Sequence, residues 1–222
     1  MGSPEFAVRP QLADDVAGYV RRRIFDGTYA AGAYVRLDQL AAELGISVTP
    51  VREALFELKA EGLLDQQPRR GFVVRPVTVR DITDVSDVQA YIGGLLAARA
   101  AANITEAQVA ELTGIQNELE AAYAADDGER AVRLNHEFHK GINVAAESPK
   151  LAQLMSQITR YAPETVFPTV KGWPEQSNAH HRRVLDALAR QDPDAARAAM
   201  SEHLSAGADP LIEHLSCRGV IC

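Results

Sequence analysis

The chain has 222 residues, 46% of them hydrophobic and 24% charged, with a formal charge of −7; that is enough for one large domain or two modest ones with separate cores, and two are expected. No apolar run approaches the roughly 18 residues of a membrane span and no secretory signal pattern opens the chain, so a cytoplasmic protein with no membrane partner is the expectation. Only two cysteines occur, Cys217 and Cys222, both in the last six residues, which argues against a disulfide framework or a cysteine zinc site and reads as reduced tail thiols.

Residues 1–6, Met-Gly-Ser-Pro-Glu-Phe, read as a vector-derived scar. From Ala7 to Pro76 there are 10 Lys/Arg against 9 Asp/Glu, and from Val77 onward 13 against 20, so the acidity belongs to the second part. A near-neutral first part can still bind nucleic acid if its arginines gather on one face, because affinity follows local phosphate neutralisation.

In chain order, Leu12, Val16, Val20 and Ile24 recur at i, i+4 and predict an amphipathic helix from Gln11 to Asp26, ending at Gly27. Its Arg21-Arg22-Arg23 run reads either as a phosphate contact or as a solvated charged face. Thr28 to Tyr34 reads as a connector. A short helix from Leu37 to Leu44 stops at Gly45, and a second restarts near Thr49 with Leu55 and Leu58 on one face. Ser47 suits its N-cap and Pro50 its first turn. This is a helix-turn-helix, and its second helix opens with Ser47, Thr49 and Arg52 at the end that a recognition helix pushes into the major groove. Leu63 to Gln67 reads as a strand, Pro68-Arg69-Arg70-Gly71 as a turn and Phe72 to Arg75 as the return strand, a two-stranded wing with two arginines at its tip.

Pro76 closes that domain, and the sequence from 77 to 222 predicts an all-helical bundle of about six helices. Thr78 with Asp81 opens a helix through about Ala102, and Thr105 with Gln108 one through about Ala125. Others run from Gly128 to Ala145, from Pro149 to about Tyr161, from Glu175 to Arg190 and from Pro193 to Leu215, with Ala162 to Trp173 as the longest non-helical connection. Asn135 and His139 share a helix face at i, i+4, and His181 and His203 sit on two later helices. Facing helices can gather such groups around a metal suited to imidazole: zinc, nickel, copper or iron. A surface or core role is the ordinary alternative for helical histidines, and His136, His180 and His214 keep that reading. A three-histidine zinc could also serve a metal-dependent enzyme, but HExxH, GxSxG and a glycine-rich phosphate loop are all missing, which favours a ligand-sensing bundle.

With these residues in view, the sequence resembles the GntR family of bacterial transcription regulators, in its FadR subgroup with an FCD effector domain. LAAELGIS, TPVREAL, EGLL and RRGFVV match the family's head, and NHEFH, HRRVLDALARQD and AARAAMSEHL match its tail, over about Leu12 to Leu215. The resemblance implies a mainly α protein, with a winged helix-turn-helix of three helices and a two-stranded wing over residues 7–76. It also implies an FCD-type effector-binding and dimerisation bundle over residues 77–222. DNA contacts would fall on Ser47, Thr49 and Arg52, on Arg69, Arg70 and Gly71 of the wing, and on Arg36 as a phosphate contact. Val48 departs from the basic residue common there and offers only an apolar touch.

The same resemblance implies metal ligands at Asn135, His139, His181 and His203, with zinc the first candidate and nickel or another transition metal the others. Asn135 stands where the family has aspartate. Gln89 and Gly93 replace a pocket-facing arginine and glutamate, and Gln89 and Asn143 are the candidate effector contacts. The expected protein is a homodimeric repressor that binds a near-palindromic operator in double-stranded DNA and responds to an organic acid or acyl compound. A metal-free sensor of an acyl or other bulky ligand is the alternative.

Overall fold

The computed structural model describes residues 10–161 and 166–221; the candidate scar, Pro163 and Cys222 lie outside them. The described chain is mainly α, with a winged helix-turn-helix first and a helical bundle after it. It packs as two units: one holds the described residues up to Thr78 together with those from Leu215 on, and the other runs from Val79 to His214.

In the first unit α1 (Pro10–Phe25), α2 (Leu37–Leu44) and α3 (Val48–Ala60) enclose a core of Val16, Val20, Ile24, Leu40, Val51, Leu55 and Leu58. Leu12, at the start of the α1 stripe, stays 37% exposed. Helix α2 stops as expected at Gly45, whose φ of 66° is the left-handed conformation that lets the last carbonyls be capped. Ser47 occupies the N-cap of α3 with extended backbone, but its side chain makes no capping hydrogen bond. Ser47 is exposed, so solvent can satisfy its hydroxyl.

The wing is larger than expected. β2 (Leu64–Gln67) and β3 (Gly71–Val74) form the hairpin, and β1 (Tyr34–Val35), inside the stretch read as a connector, pairs antiparallel with β3 to give the order β1-β3-β2. Two residues show no alternation, so only the partner strand reveals β1. The arginine run of α1 does not act as one group. Arg21 is drawn inward onto Glu61 beyond α3 by a bidentate pair with Nη2–Oε1 at 2.7 Å, Arg23 donates to the Tyr19 hydroxyl, and Arg22 remains exposed.

The second unit is built from α4 (Val79–Asn103), α5 (Glu106–Ala124), α6 (Gly128–Ala145), α7 (Pro149–Thr159), α8 (Trp173–Ala189) and α9 (Pro193–Ser205), and α10 (Ala208–Cys217) begins within it. Thr105 and Gln108 form the expected capping box of α5. The span expected as one helix from Pro193 to Leu215 is broken around Ala206 and Gly207. A β-carbon on Gly207 would lie 3.2 Å from Trp173 and 3.3 Å from Phe167, so two aromatic rings press against the backbone at the break. Phe167 belongs to a 3-10 turn, Phe167–Thr169, in the connection expected to be non-helical.

Close approach of α4 and α9 organises this bundle. A β-carbon on Gly93 would sit 2.3 Å from Leu204, and one on Gly94 2.3 Å from the Ser201 hydroxyl. Gly93 is therefore a packing position where Leu204 fills the space a side chain would need. Ser201 donates to the Ala90 carbonyl at 2.9 Å and Ser86 to the Leu204 carbonyl at 3.2 Å, so the seam carries satisfied polar contacts. Leu96, Phe138, Ile142, Val184, Leu188 and Met200 fill the core around it.

Candidate functional site

At the head, the N-terminal end of α3 is polar and open. Ser47, Thr49 and Arg52 are exposed there and Val48 is half-buried, while Val51, Leu55 and Leu58 anchor the opposite face at 0% exposure. Arg36, immediately before α2, is also exposed. Arg69 and Arg70 are exposed at the wing tip, Arg69 with a positive φ of 63°. Gly71 belongs to a different environment. It is half-buried with φ 100°, and a β-carbon there would meet the Val35 carbonyl oxygen at 2.8 Å. Its structural task is to let β1 lie against β3.

In the bundle, the structure brings together three of the four candidate ligands by their ring nitrogens. His203 Nε2 lies 3.2 Å from His181 Nε2 and 3.2 Å from His139 Nε2, and one nitrogen from each ring falls within 4.8 Å of the others. Each histidine comes from a different helix: His139 from α6, His181 from α8, His203 from α9. Asn135 stands one turn before His139 on α6 and is half-buried. Asn143, one turn after it, is half-buried too, with the exposed Val144 beside it.

Aromatic rings pack around this cluster. Phe138 stacks on His181 with centroids 4.2 Å apart, and Trp173 lies 5.9 Å from the His203 ring. His181 is 0% exposed and His203 3%. Burial holds both imidazoles well below their ordinary pKa, and the neighbouring imidazoles add to the effect, so both rings are neutral with lone pairs to offer.

The donor set fits a divalent ion. Two nitrogens about 2.1 Å from a common ion sit about 3.0–3.4 Å apart over octahedral to tetrahedral angles, which brackets the two 3.2 Å spacings at His203 Nε2, the third pair lying within 4.8 Å. Protons alone satisfy the cluster poorly: one proton on His203 Nε2 can serve only one of its two neighbours, and His203 Nδ1 is buried with no partner.

Two further residues belong here. Gln116 on α5, fully buried, accepts at Oε1 from His181 Nδ1 at 2.7 Å. Its sequence signal is an amide on the apolar stripe between Leu112 and Leu119. His180, read as an ordinary surface or satisfied core group, is buried edge-on to His203 at 5.7 Å, and its Nδ1 has no partner. Gln89 lies elsewhere: with Ser86, Tyr161, Phe167, Leu204 and Leu211 it lines a small, open cleft. Its Nε2 donates to the Ile158 carbonyl at 3.4 Å. Asn143 is not part of that lining.

A helix-turn-helix with an arginine-tipped wing, followed by a helical bundle with a histidine cluster, is the architecture of a DNA-binding transcription regulator. The profile of the bacterial regulatory proteins of the gntR family matches residues 12–74, and that of the FCD domain matches residues 84–206. The chain belongs to this family: it is a GntR-type transcriptional regulator with an FCD domain, and not an enzyme.

A relative from Paenarthrobacter nicotinovorans, named "Probable D-xylose utilization operon transcriptional repressor", is 30% identical over 201 residues, covering 89% of this chain and 88% of that protein. The transcriptional repressor RspR of Escherichia coli K12 is 26% identical over 192 residues, covering 83% and 82%. Among solved structures, McbR/YncC of Escherichia coli superimposes with a TM-score of 0.73 at 24% identity over 92% of this chain and 98% of that one, a likeness of fold. Among the described residues, no helix is long and apolar enough to cross a membrane.

Proposed function

We propose that this regulator is a homodimeric, cytoplasmic repressor of a metabolic operon. Residues 7–76 read a near-palindromic operator and residues 77–222 carry the dimerisation surface and the effector pocket. A divalent metal, zinc first and nickel or another transition metal next, is held by His139, His181 and His203, with the Asn135 amide oxygen as a fourth donor. The observation that carries this reading is the convergence of three imidazoles, with His203 Nε2 3.2 Å from the Nε2 atoms of both His181 and His139. Three imidazoles and an amide bring no negative charge, so a divalent ion there keeps its full charge. An organic acid is the effector class that neutralises it.

Effector binding regulates only if the DNA-competent and incompetent states bind it with different affinity. The repressor names of two relatives support the direction of control. Metal content tests the site. Protein purified without a histidine tag is expected to contain or take up one divalent ion per chain, and His139→Ala with His181→Ala is expected to abolish it. Elemental analysis that finds no metal and no uptake removes the metal.

DNA reading is tested separately. Ser47, Thr49 and Arg52 supply the base contacts and Arg36, Arg69 and Arg70 the phosphate contacts, with Gly71 shaping the wing between them. Arg52→Ala is expected to weaken binding to the cognate operator by about 1–3 kcal/mol. A gel-shift titration in which it binds as tightly as the unaltered protein ends its assignment as a base contact.

The cleft beside Gln89 favours a second reading, a metal-free sensor of an acyl compound whose chain lies against Ile82, Val85 and Leu211. Effector-induced release of DNA that survives complete chelation selects this reading over the first.

A further inference from the structure

The geometry points to Gln116 as a positioning residue that fixes His181 in its Nδ1–H tautomer and thereby aims the Nε2 lone pair at His203 and His139. This rests on the metal reading above for its purpose, but the tautomer itself is independent of any ion.

Arg182 on α8 donates from Nε to Glu120 Oε1 on α5 at 2.7 Å, and the guanidinium holds that carboxyl below its ordinary pKa. Glu120 is therefore ionised near neutral pH and can only accept. Gln116, one turn earlier on α5, presents its Nε2 to Glu120 Oε1 at 3.1 Å and to Asn178 Oδ1 at 3.0 Å.

An amide oxygen and nitrogen have nearly the same shape, so the orientation of a glutamine follows from its partners. Flipping Gln116 would set its oxygen against the Glu120 carboxylate, two acceptors with no proton between them. The observed orientation is thus imposed, and it leaves Oε1 facing His181 Nδ1 at 2.7 Å. That oxygen can only accept. His181 must donate from Nδ1, and as a neutral ring it then has its lone pair on Nε2, the atom 3.2 Å from His203 Nε2.

Donation thus runs outward from His181 through Gln116 to Glu120, which also accepts from Arg182, so the half-exposed carboxylate sets the orientation at the centre of the bundle. A carboxylate at position 116 would orient the histidine more strongly but would stand against Glu120 in a buried place. A neutral amide conveys the direction without adding a buried charge. Outer partners of this kind typically govern metal affinity by about 10–100-fold.

The experiment uses the full chain labelled with 15N-histidine, its long-range 1H–15N correlation spectrum in the metal-free state, and Zn²⁺ affinity by competition with a chelator dye. The unaltered protein is expected to show His181 as a single Nδ1–H tautomer. Gln116→Leu, which leaves that nitrogen without an acceptor, is expected to show mixed tautomers and about 10–100-fold weaker Zn²⁺ binding. Glu120→Gln keeps every side chain near its present size but allows the Gln116 amide to flip, and it is expected to move both readings in the same direction by a smaller amount. This second variant carries the test if Gln116→Leu does not fold.

An Nε2–H tautomer at His181 in the unaltered protein overturns the inference, as does Zn²⁺ affinity within twofold of the original in the folded variants. Unaltered protein that shows the Nδ1–H tautomer yet takes up no Zn²⁺ supports the tautomer assignment and instead defeats the metal reading.

Discussion

Gly71 stands at φ 100° with the carbonyl oxygen of Val35 2.8 Å from the place a β-carbon would occupy. Alanine there carries two costs, a left-handed backbone that L side chains rarely adopt and a collision with main chain that cannot rotate away. Gly71→Ala is therefore expected to destabilise the N-terminal unit by about 2–4 kcal/mol, read as a lowered urea midpoint in the far-ultraviolet circular dichroism. An unchanged midpoint would show that β1 yields without cost. Arg70→Ala, at an exposed position, serves as the neutral control. The resemblance places Gly71 among the DNA contacts; the structure adds the reason a glycine is needed, which depends on a strand invisible in the sequence. Gln116 is the converse case. The sequence alone singles out no role for it, and only His181, Glu120 and Asn178, arriving from another turn and another helix, give it a task.

At the scale of elements, legibility followed how local the cause was. The helices α2 and α3 were readable because Gly45, the i, i+3 and i, i+4 apolar spacing and Pro50 all act within a few residues of the boundary they set. The capping box of α5 was readable for the same reason. Strand β1 was not, because two residues paired with a strand almost forty positions away leave no period of their own. The break before α10 was hidden as well: Ala206 and Gly207 sit in an alanine-rich stretch that reads as continuous helix, and the rings pressing on Gly207 come from Phe167 and Trp173. The Arg21-Arg22-Arg23 run shows the same limit in charge. Glu61 claims Arg21, Tyr19 engages Arg23, and one arginine of the three keeps the solvated reading. The candidate site was legible as four positions and a resemblance; the convergence of three rings became visible only when the glycines of α4 let α9 close on it.

Across the whole molecule, a single tryptophan, Trp173, lies in the bundle with its ring 5.9 Å from His203, so its fluorescence reports the unit that holds the histidine centre. In metal-free protein that unit has a defined pH dependence. His181 and His203 are held well below their ordinary value of about 6.5 by burial and by neighbouring charged or imidazole groups, whereas in the unfolded chain they titrate near it. Below about pH 6.5 the unfolded state binds protons that the native state refuses, so stability is lost as pH falls and is fully present above about pH 7. Two such groups give a limiting slope of about 2.7 kcal/mol per pH unit. The window from about pH 6.5 to 5 separates this loss from Glu120 and Glu202, whose carboxyls titrate below their ordinary value. Zn²⁺ at 100 times its dissociation constant is expected to add about 2.7 kcal/mol near pH 7. At fixed Zn²⁺ that gain persists while the folded imidazoles stay neutral and declines only as they protonate, because protons then compete with the ion for the same lone pairs. Urea titrations followed by Trp173 fluorescence, at several pH values with Zn²⁺ or with chelator, measure both effects. A metal-free stability that stays flat from pH 7 to 5 contradicts the neutral histidine core, and a Zn²⁺ gain that persists at a pH where the folded histidines are protonated contradicts imidazole ligation.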